Sequence, residues 1–115
     1  MITVKTYAHA GRGSLHLQIQ GHAASAPKGE DLICAAVTTL ACTAARGAED
    51  MYRQGKLRKK PRVVLESGRA EIALTPKAED YAQALHLLWT LQCGFSWLAR
   101  EYPQYVRLAT SAHMK

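Results

Sequence analysis

The chain opens with a pattern that predicts a β-hairpin. Apolar and polar residues alternate along 2–9 and again along 15–20, as they do in half-buried strands. The turn sequence Gly11-Arg12-Gly13-Ser14 lies between them, so the two strands are expected to pair antiparallel. With the turn centred near residues 12 and 13, the register places His22 opposite the chain start, around Ile2 or Thr3.

The pattern then changes to that of a helix beginning after Asp31. Aspartate is a typical N-cap residue, apolar residues recur at helical spacing from Ala36 to Met51, and Gly55 is a typical stop. Residues 32–45 form an uncharged stretch of only fourteen residues, shorter than the roughly 18–20 that span a membrane. We therefore expect a buried helix. The preceding segment, Gly21 to Glu30, is rich in glycine and other loop-forming residues and predicts a mobile loop.

The second half repeats the order of the first. A basic run, KLRKKPR, covers residues 56–62, and residues 63–66 and 69–74 predict a hairpin around the turn Ser67-Gly68. Thr75-Pro76 resembles a cap followed by proline at the first helical position. An apolar stripe from Tyr81 to Tyr102 predicts the second helix, with a short strand at 105–108. The order ββαββα(β) predicts an α+β fold: a two-layer single domain over residues 1–110, in which antiparallel hairpins form one sheet with two helices packed on it, and a tail at 111–115.

Composition narrows the class of protein. The chain has 115 residues, 48% of them hydrophobic and 21% charged, which suits one soluble globular domain. The N-terminal sequence lacks the basic-then-apolar order of a signal peptide, so we expect a cytoplasmic protein that makes no membrane contact. The formal net charge of +6 favours polyanionic surroundings such as RNA or the ribosome.

Three cysteines, Cys34, Cys42 and Cys93, carry the candidate chemistry. No CxxC spacing occurs, and no third ligand accompanies His22 and Cys34, so the sequence predicts neither a metal site nor a cofactor. Cys42 and Cys93 fall within apolar helix patterns and are interpreted as core residues.

Cys34 is different because it lies in the first turn of the predicted helix. The free amides and the positive end of the helix dipole favour a thiolate there and can donate to an oxyanion. His22 lies at the other end of the connecting loop, and a thiol with a base in reach can perform acyl transfer. Thr38 is one turn beyond Cys34 on the same face, where its hydroxyl can support the site. The spacing alone is also consistent with purely structural roles. Cys34 would then be a structural cysteine, His22 a solvated histidine, and Asp31 only a helix cap.

The identities of the residues around His22 and Cys34 are more specific than the spacing between them. Gly21-His22-Ala23, a loop containing Gly29, and the run Asp31-Leu32-Ile33-Cys34-Ala35-Ala36-Val37-Thr38 together resemble the signature of the ribosomal-processing cysteine proteases, the Prp family. The resemblance covers almost the whole chain, from the MI-x-V start to EYPQYVRL near the end. Where this chain has Thr38, the family usually has serine, so a hydroxyl is kept and a methyl is added.

The resemblance implies a cysteine endopeptidase with His22 as general base and Cys34 as nucleophile. Asp31 and Thr38 would support the dyad, and the Gly21–Glu30 segment, including Gly21, Ala23 and Gly29, would be a flexible loop over the substrate. Family members are homodimers that remove the N-terminal extension of large-subunit ribosomal protein twenty-seven, cutting after a Phe-rich apolar segment. Relatives also occur among phage-derived genes, where a virion protein is the expected substrate.

Two further features keep other interpretations open. The basic run at 56–62 is typical of a solvated loop, and no base-stacking motif accompanies it. It also leaves open ribosome docking by the protease and, as the alternative function, a non-enzymatic ribosome- or RNA-binding module. Trp89 and Trp97, together with Leu87 and Leu91, lie partly off the main stripe of the second helix. They predict a second apolar face, buried either in a dimer interface or by further core packing.

Overall fold

Strands and helices follow one another along the chain in the predicted order, in a computed structural model that describes residues 1–23 and 31–109. The strands are β1 (Ile2–His9), β2 (Ser14–Gln20), β3 (Arg62–Glu66), β4 (Arg69–Leu74) and β5 (Val106–Leu108). The long helices are α1 (Leu32–Arg53) and α2 (Tyr81–Glu101), with 3₁₀ turns at Ala10–Arg12 and Ala78–Asp80. The predicted tail, 111–115, lies outside the described residues, as does most of the predicted loop.

The strands form one sheet in the order β3-β4-β2-β1-β5. Both predicted hairpins are present, and the first and second are joined through β2 and β4. Thr3 pairs with Gln20, which brings His22 beside Met1, one residue beyond the predicted register. The last strand, whose pairing the sequence left open, runs parallel to β1.

Both helices cover the same face of the sheet, and the core lies between the two layers. Leu15, Leu17 and Ile72 from the sheet and Leu88 and Phe95 from α2 are almost completely buried there. The opposite face of the sheet is polar: Tyr7 stacks on His16, and Arg69 pairs with Glu71. This division confirms the two-layer prediction, because alternation along each strand sends apolar residues to one face only.

The two ends of α1 form as predicted. Asp31 Oδ1 accepts a hydrogen bond from the Cys34 amide at 2.9 Å, which is N-cap geometry. At the other end Gly55 has a positive φ of 75°. Its amide donates to the Tyr52 carbonyl, and the Lys56 amide donates to that of Met51, which together form a Schellman motif. These two caps set where α1 begins and ends.

The helices approach each other closely where each has a glycine. A β-carbon added at Gly47 would lie 2.8 Å from Leu87 Cδ1, and one added at Gly94 would lie 3.0 Å from Leu40 Cδ1. Leu87 is half-buried and Leu91 is buried. The core-packing alternative is therefore confirmed for Leu87 and Leu91, because the helix–helix contact and the core bury these two side chains.

The prediction that Thr75-Pro76 starts the second helix is also wrong. Pro76 forms an isolated bridge with Leu57, and the Arg58 amide donates to the Thr75 carbonyl at 2.8 Å. These contacts hold the segment extended against the basic run. The helix begins only after the 3₁₀ turn, at Tyr81. The local preference of Thr75-Pro76 for a helix start is outweighed here by a long-range backbone pairing, which the sequence pattern does not reveal.

Cys42 and Cys93 are exposed, so their interpretation as core residues is wrong. In α1, Ala41 is buried while the adjacent Cys42 points outward. In α2, Leu91 is buried while Cys93, two residues later, points outward. Both helices are amphipathic, and apolar residues occur on their outer faces as well. An apolar pattern in a helical segment therefore does not by itself establish that each of its residues is buried.

Among the described residues, α1 is the helix whose length and composition would also suit a membrane span. It packs on the sheet through Val37, Ala41, Ala44 and Ala48, all of them buried. Core helices of soluble proteins meet the same criteria, so α1 alone is weak evidence for a membrane.

Candidate active site

His22 follows β2 in a segment that is held in place by backbone contacts. The Gly21 amide donates to the Gly68 carbonyl at 2.9 Å, and the N-terminal ammonium of Met1 donates to the His22 carbonyl at 2.6 Å. Gly21 has a φ of 104°, and a β-carbon there would lie 2.1 Å from the Met1 carbonyl oxygen. Only glycine fits at this position. Ala23 is buried in the core, so the first three residues of the predicted loop are anchored.

The side chain of His22 is exposed and lies against the turn between β3 and β4. A β-carbon added at Gly68 would lie 2.5 Å from His22 Nε2 and 3.0 Å from its Cε1. The absence of a side chain at Gly68 thus leaves room for the imidazole. The sequence predicted Ser67-Gly68 only as a hairpin turn, and its contact with His22 was missed.

Cys34 lies in the first turn of α1, as predicted, and is half-buried against the hydrophobic core. Two residues that precede Cys34 hold it in place. Asp31 Oδ1 accepts its amide hydrogen bond, and Ile33 beside it is buried. Asp31 therefore caps the helix, as the structural alternative predicted, and it also orients the backbone of Cys34, the candidate nucleophile.

His22 and Cys34 come to the same end of the molecule. β2 runs towards the end at which Gln20 pairs with Arg69, and His22 follows it. α1 ends at the opposite pole, where residues 57 and 58 contact Thr75 and Pro76 beyond β4. A helix of 22 residues is about 33 Å long. Because α1 packs along β4, its first turn lies at the His22 end.

The backbone amides at the start of α1 are candidate donors to an oxyanion, but two of them already donate to Asp31. The amides of Cys34 and Ala35 are already engaged, by the Asp31 side chain and carbonyl respectively. The amides of Leu32 and Ile33 accordingly remain the candidate donors to an oxyanion, since the first amides of a helix have no acceptor within the helix.

The other predicted site residues are less informative. Thr38 is exposed, and within the described ranges no hydrogen bond of its hydroxyl is present; its neighbours Thr39 and Thr43 donate to carbonyls one turn earlier. Gly29 lies outside the described residues. In residues 1–23 and 31–109, no cluster of three or more His, Cys, Asp or Glu side chains could hold a metal ion.

Exposed apolar side chains flank this end of the molecule. Leu32, in the first turn of α1, is 80% exposed, and Leu65, near the end of edge strand β3, is 48% exposed. Leu65 pairs with Ala70, two residues from the Ser67-Gly68 turn. The sequence pattern did not mark either leucine as a site residue, because a leucine in an amphipathic element is ordinarily expected to be buried.

Comparison with known proteins identifies the family. The family model described as cysteine protease Prp matches residues 1–107. No curated protein sequence matches this chain.

Solved structures share the fold. The ribosomal processing protease Prp from S. aureus, in complex with a covalently linked product peptide, superposes with a TM-score of 0.71 at 19% identity, covering 96% of this chain and 100% of that one. The same protease with a substrate peptide gives 0.67 at 17% identity, over the same shares of the chains. A protein from Streptococcus mutans gives 0.68 at 21% identity, covering 98% of this chain and 96% of its own.

Proposed function

Because this chain belongs to the cysteine protease Prp family, we propose that it hydrolyses peptide bonds with a dyad of Cys34 and His22. The observation that supports the proposal is that both residues lie at one end of the fold, Cys34 on the first turn of α1 and His22 against Gly68. Family membership also removes the alternative of a non-enzymatic module.

The chemistry follows from the residue types. His22 takes the proton of the Cys34 thiol, and the thiolate attacks the carbonyl carbon of the scissile bond. The amides at the start of α1 donate to the oxyanion that forms. The intermediate collapses, the amine leaves with the proton from the imidazolium, and a thioester remains on Cys34. Water, deprotonated by His22, then releases the acid product and restores the thiol.

The proposed substrate is the N-terminal extension of large-subunit ribosomal protein twenty-seven, or a segment with a similar Phe-rich motif. The S. aureus relative is a ribosomal processing protease. Leu32 and Leu65 support an apolar substrate here, because exposed leucines beside a candidate site gain free energy when a bound apolar segment covers them. A phage virion protein carrying such a motif is the competing substrate.

One experiment tests both the activity and the dyad. The full chain is incubated with a peptide spanning the ribosomal-protein extension, and products are identified by mass spectrometry. We expect one cleavage site, lost in Cys34→Ala and in His22→Ala and kept in Cys42→Ala and His86→Ala, whose side chains lie on outer helix faces. Cleavage by Cys34→Ala at the wild-type rate would overturn the dyad. Cleavage of a phage-type peptide alone would replace the ribosomal substrate and leave the dyad intact.

We also propose that the protein is a cytoplasmic homodimer. Trp89, Cys93 and Trp97 are spaced four residues apart on α2, and both tryptophans are about half exposed, at 53% and 49%. Large exposed aromatic side chains on one helix face are typical of interfaces. A second copy of the chain is the proposed partner on this face.

A further inference from the structure

The basic run forms one wall of an open cleft at the pole opposite His22. The other wall is the turn between β1 and β2, and the cleft has a volume of about 880 Å³. The cationic side chains that line it are Arg12, Arg58, Lys59, Lys60 and Arg62. Since β2 spans seven residues, the cleft and the candidate active site are separated by roughly 20–25 Å.

The positive charge in this cleft is largely uncompensated. Within the described residues, no acidic side chain lies in ion-pair distance of Arg12, Arg58, Lys59 or Lys60. Arg62 approaches Glu71 at 4.0 Å, the longest of the ion pairs formed by described residues, and its side chain is 65% exposed. Like charges gathered in this way repel one another in the free protein. An anion bound between them would relieve that repulsion.

His16 lines the floor of the cleft, close to Arg12. Burial lowers the pKa of His16, and the nearby charges of His9 and Arg12 lower it further, against the opposite effect of Glu71. His16 also bonds the Ser14 hydroxyl, with 2.8 Å between Oγ and Nε2. Of the five cleft cations, Arg12 is the one that contributes to this lowering, so its charge acts at the sheet surface on the floor of the cleft.

The dimensions and lining favour a chain of phosphates over a single ion or a membrane. The volume is many times that of one phosphate, and the cations come from two separate segments of backbone. Three of the five are arginines, whose planar guanidinium groups bind phosphate oxygens in a bidentate manner. No large apolar side chain lines the cleft, so it lacks the anchors that interfacial membrane binding uses.

We propose that this cleft binds the phosphate backbone of an RNA strand without reading its sequence, and so docks the protein on RNA with the catalytic end left free. The choice of RNA among phosphate chains rests on the proposed ribosomal function. The binding itself is independent of proteolysis, because none of the five cations lies near His22 or Cys34.

The test is fluorescence anisotropy of a labelled twelve-nucleotide single-stranded RNA of mixed sequence, titrated with the full chain over a range of salt concentrations. If four or five phosphates are neutralised, the logarithm of the binding constant should fall with the logarithm of salt concentration at a slope of about −3. The double variant Lys59→Glu/Lys60→Glu should weaken binding by at least about tenfold at about 0.15 M salt. It should also flatten the slope by about 1.4, because each lost phosphate contact accounts for about 0.7 on a single strand.

The matched control is Arg46→Glu/Arg100→Glu, which lowers the net charge by the same amount on outer faces of the two helices. At about 0.15 M salt it should change the affinity by less than about threefold, because the Debye length is then about 8 Å and charges outside the cleft are screened from the RNA. Equal loss in both double variants, or a slope near zero, would overturn the cleft as an RNA site.

Two competitors separate RNA from other polyanions. Single-stranded DNA of the same sequence should compete no better than RNA, and poly-glutamate should compete much more weakly. Stronger competition by either one would overturn the RNA assignment in favour of DNA or an acidic protein. Cleavage of the free peptide, measured in parallel, should be normal in the Lys59/Lys60 variant. RNA binding without any cleavage by the wild type would refute the proposed protease substrate and leave the RNA site standing.

Discussion

The imidazole of His22 occupies the space that a side chain at Gly68 would fill. A β-carbon on Gly68 would lie 2.5 Å from His22 Nε2, while the backbones of the two segments are joined by the hydrogen bond from Gly21 to Gly68. The turn of the second hairpin therefore sets where the candidate base can lie.

Gly68→Ala should lower the cleavage rate much more than it lowers stability. The φ of Gly68 is 75°, so alanine costs about 1 kcal/mol in backbone strain. The added methyl also displaces the tip of His22, which changes the position of the base. Gly55→Ala is the control, because Gly55 has the same φ of 75° and nothing within 4 Å of its added β-carbon. Chemical denaturation and peptide cleavage are measured for both. Equal cleavage rates in the two variants would show that Gly68 does not position His22.

Cys34 should be the fastest of the three thiols to react with iodoacetamide at neutral pH. Exposure alone predicts the reverse order, since Cys34 is half-buried while Cys42 and Cys93 are exposed. A thiol at a helix N-terminus with an imidazole nearby is activated, however. Peptide mass spectrometry after brief labelling gives the three rates. If Cys34 is the slowest thiol, it is a structural cysteine in the free protein and the nucleophile assignment loses its support.

Asp31→Ala should destabilise the protein by about 1 kcal/mol, the usual cost of losing an N-cap, and should reduce cleavage further by freeing the backbone of Cys34. Asp31→Asn keeps an oxygen acceptor for the Cys34 amide and should retain most of the stability and activity. Urea denaturation and steady-state kinetics on both variants check this. Loss of activity in the asparagine variant equal to that in the alanine variant would mean that the negative charge is needed, rather than the cap.

His16 should make the protein less stable as the pH falls below 6.5, the ordinary pKa of histidine. Burial, aided by His9 and Arg12, lowers its pKa in the folded state. In the window just below 6.5 the unfolded chain therefore binds more protons than the folded one, and the free energy of unfolding falls with falling pH. His16→Gln should remove this part of the pH dependence, whereas His86→Gln, on the exposed face of α2, should leave it. The measurement is the free energy of unfolding of all three proteins as a function of pH across that window. Parallel curves for the wild type and His16→Gln would contradict the prediction.

Trp89→Gln/Trp97→Gln should convert a dimer to a monomer without unfolding it. Both side chains are about half exposed in the single chain, so their loss costs the monomer little, while an interface loses two large apolar anchors. Tyr52→Gln, an exposed aromatic residue on α1, is the control and should leave the assembly unchanged. Sedimentation velocity over a range of concentrations gives the result. A wild type that is monomeric at every concentration would refute the dimer.

Much of this protein is determined by local sequence. Alternation in residues 2–9, 15–20 and 69–74 specifies strands with one apolar face, because successive side chains point to opposite sides. Asp31 and Gly55 mark the ends of α1 because capping involves residues only a few positions apart. The motifs around His22 and Cys34 are likewise local, which is why the family could be recognised from the amino-acid sequence.

Tertiary structure decided the features that join distant segments. Thr75-Pro76 has a local preference for a helix start, but pairing with Leu57 and Arg58 keeps it extended. Cys42 and Cys93 have apolar neighbours in sequence, yet the orientation of each helix on the sheet turns them outward. The contact of His22 with Gly68 joins residues 46 positions apart across β2 and β4. Such contacts depend on how the sheet and helices pack as a whole, and no pattern within a single element specifies them.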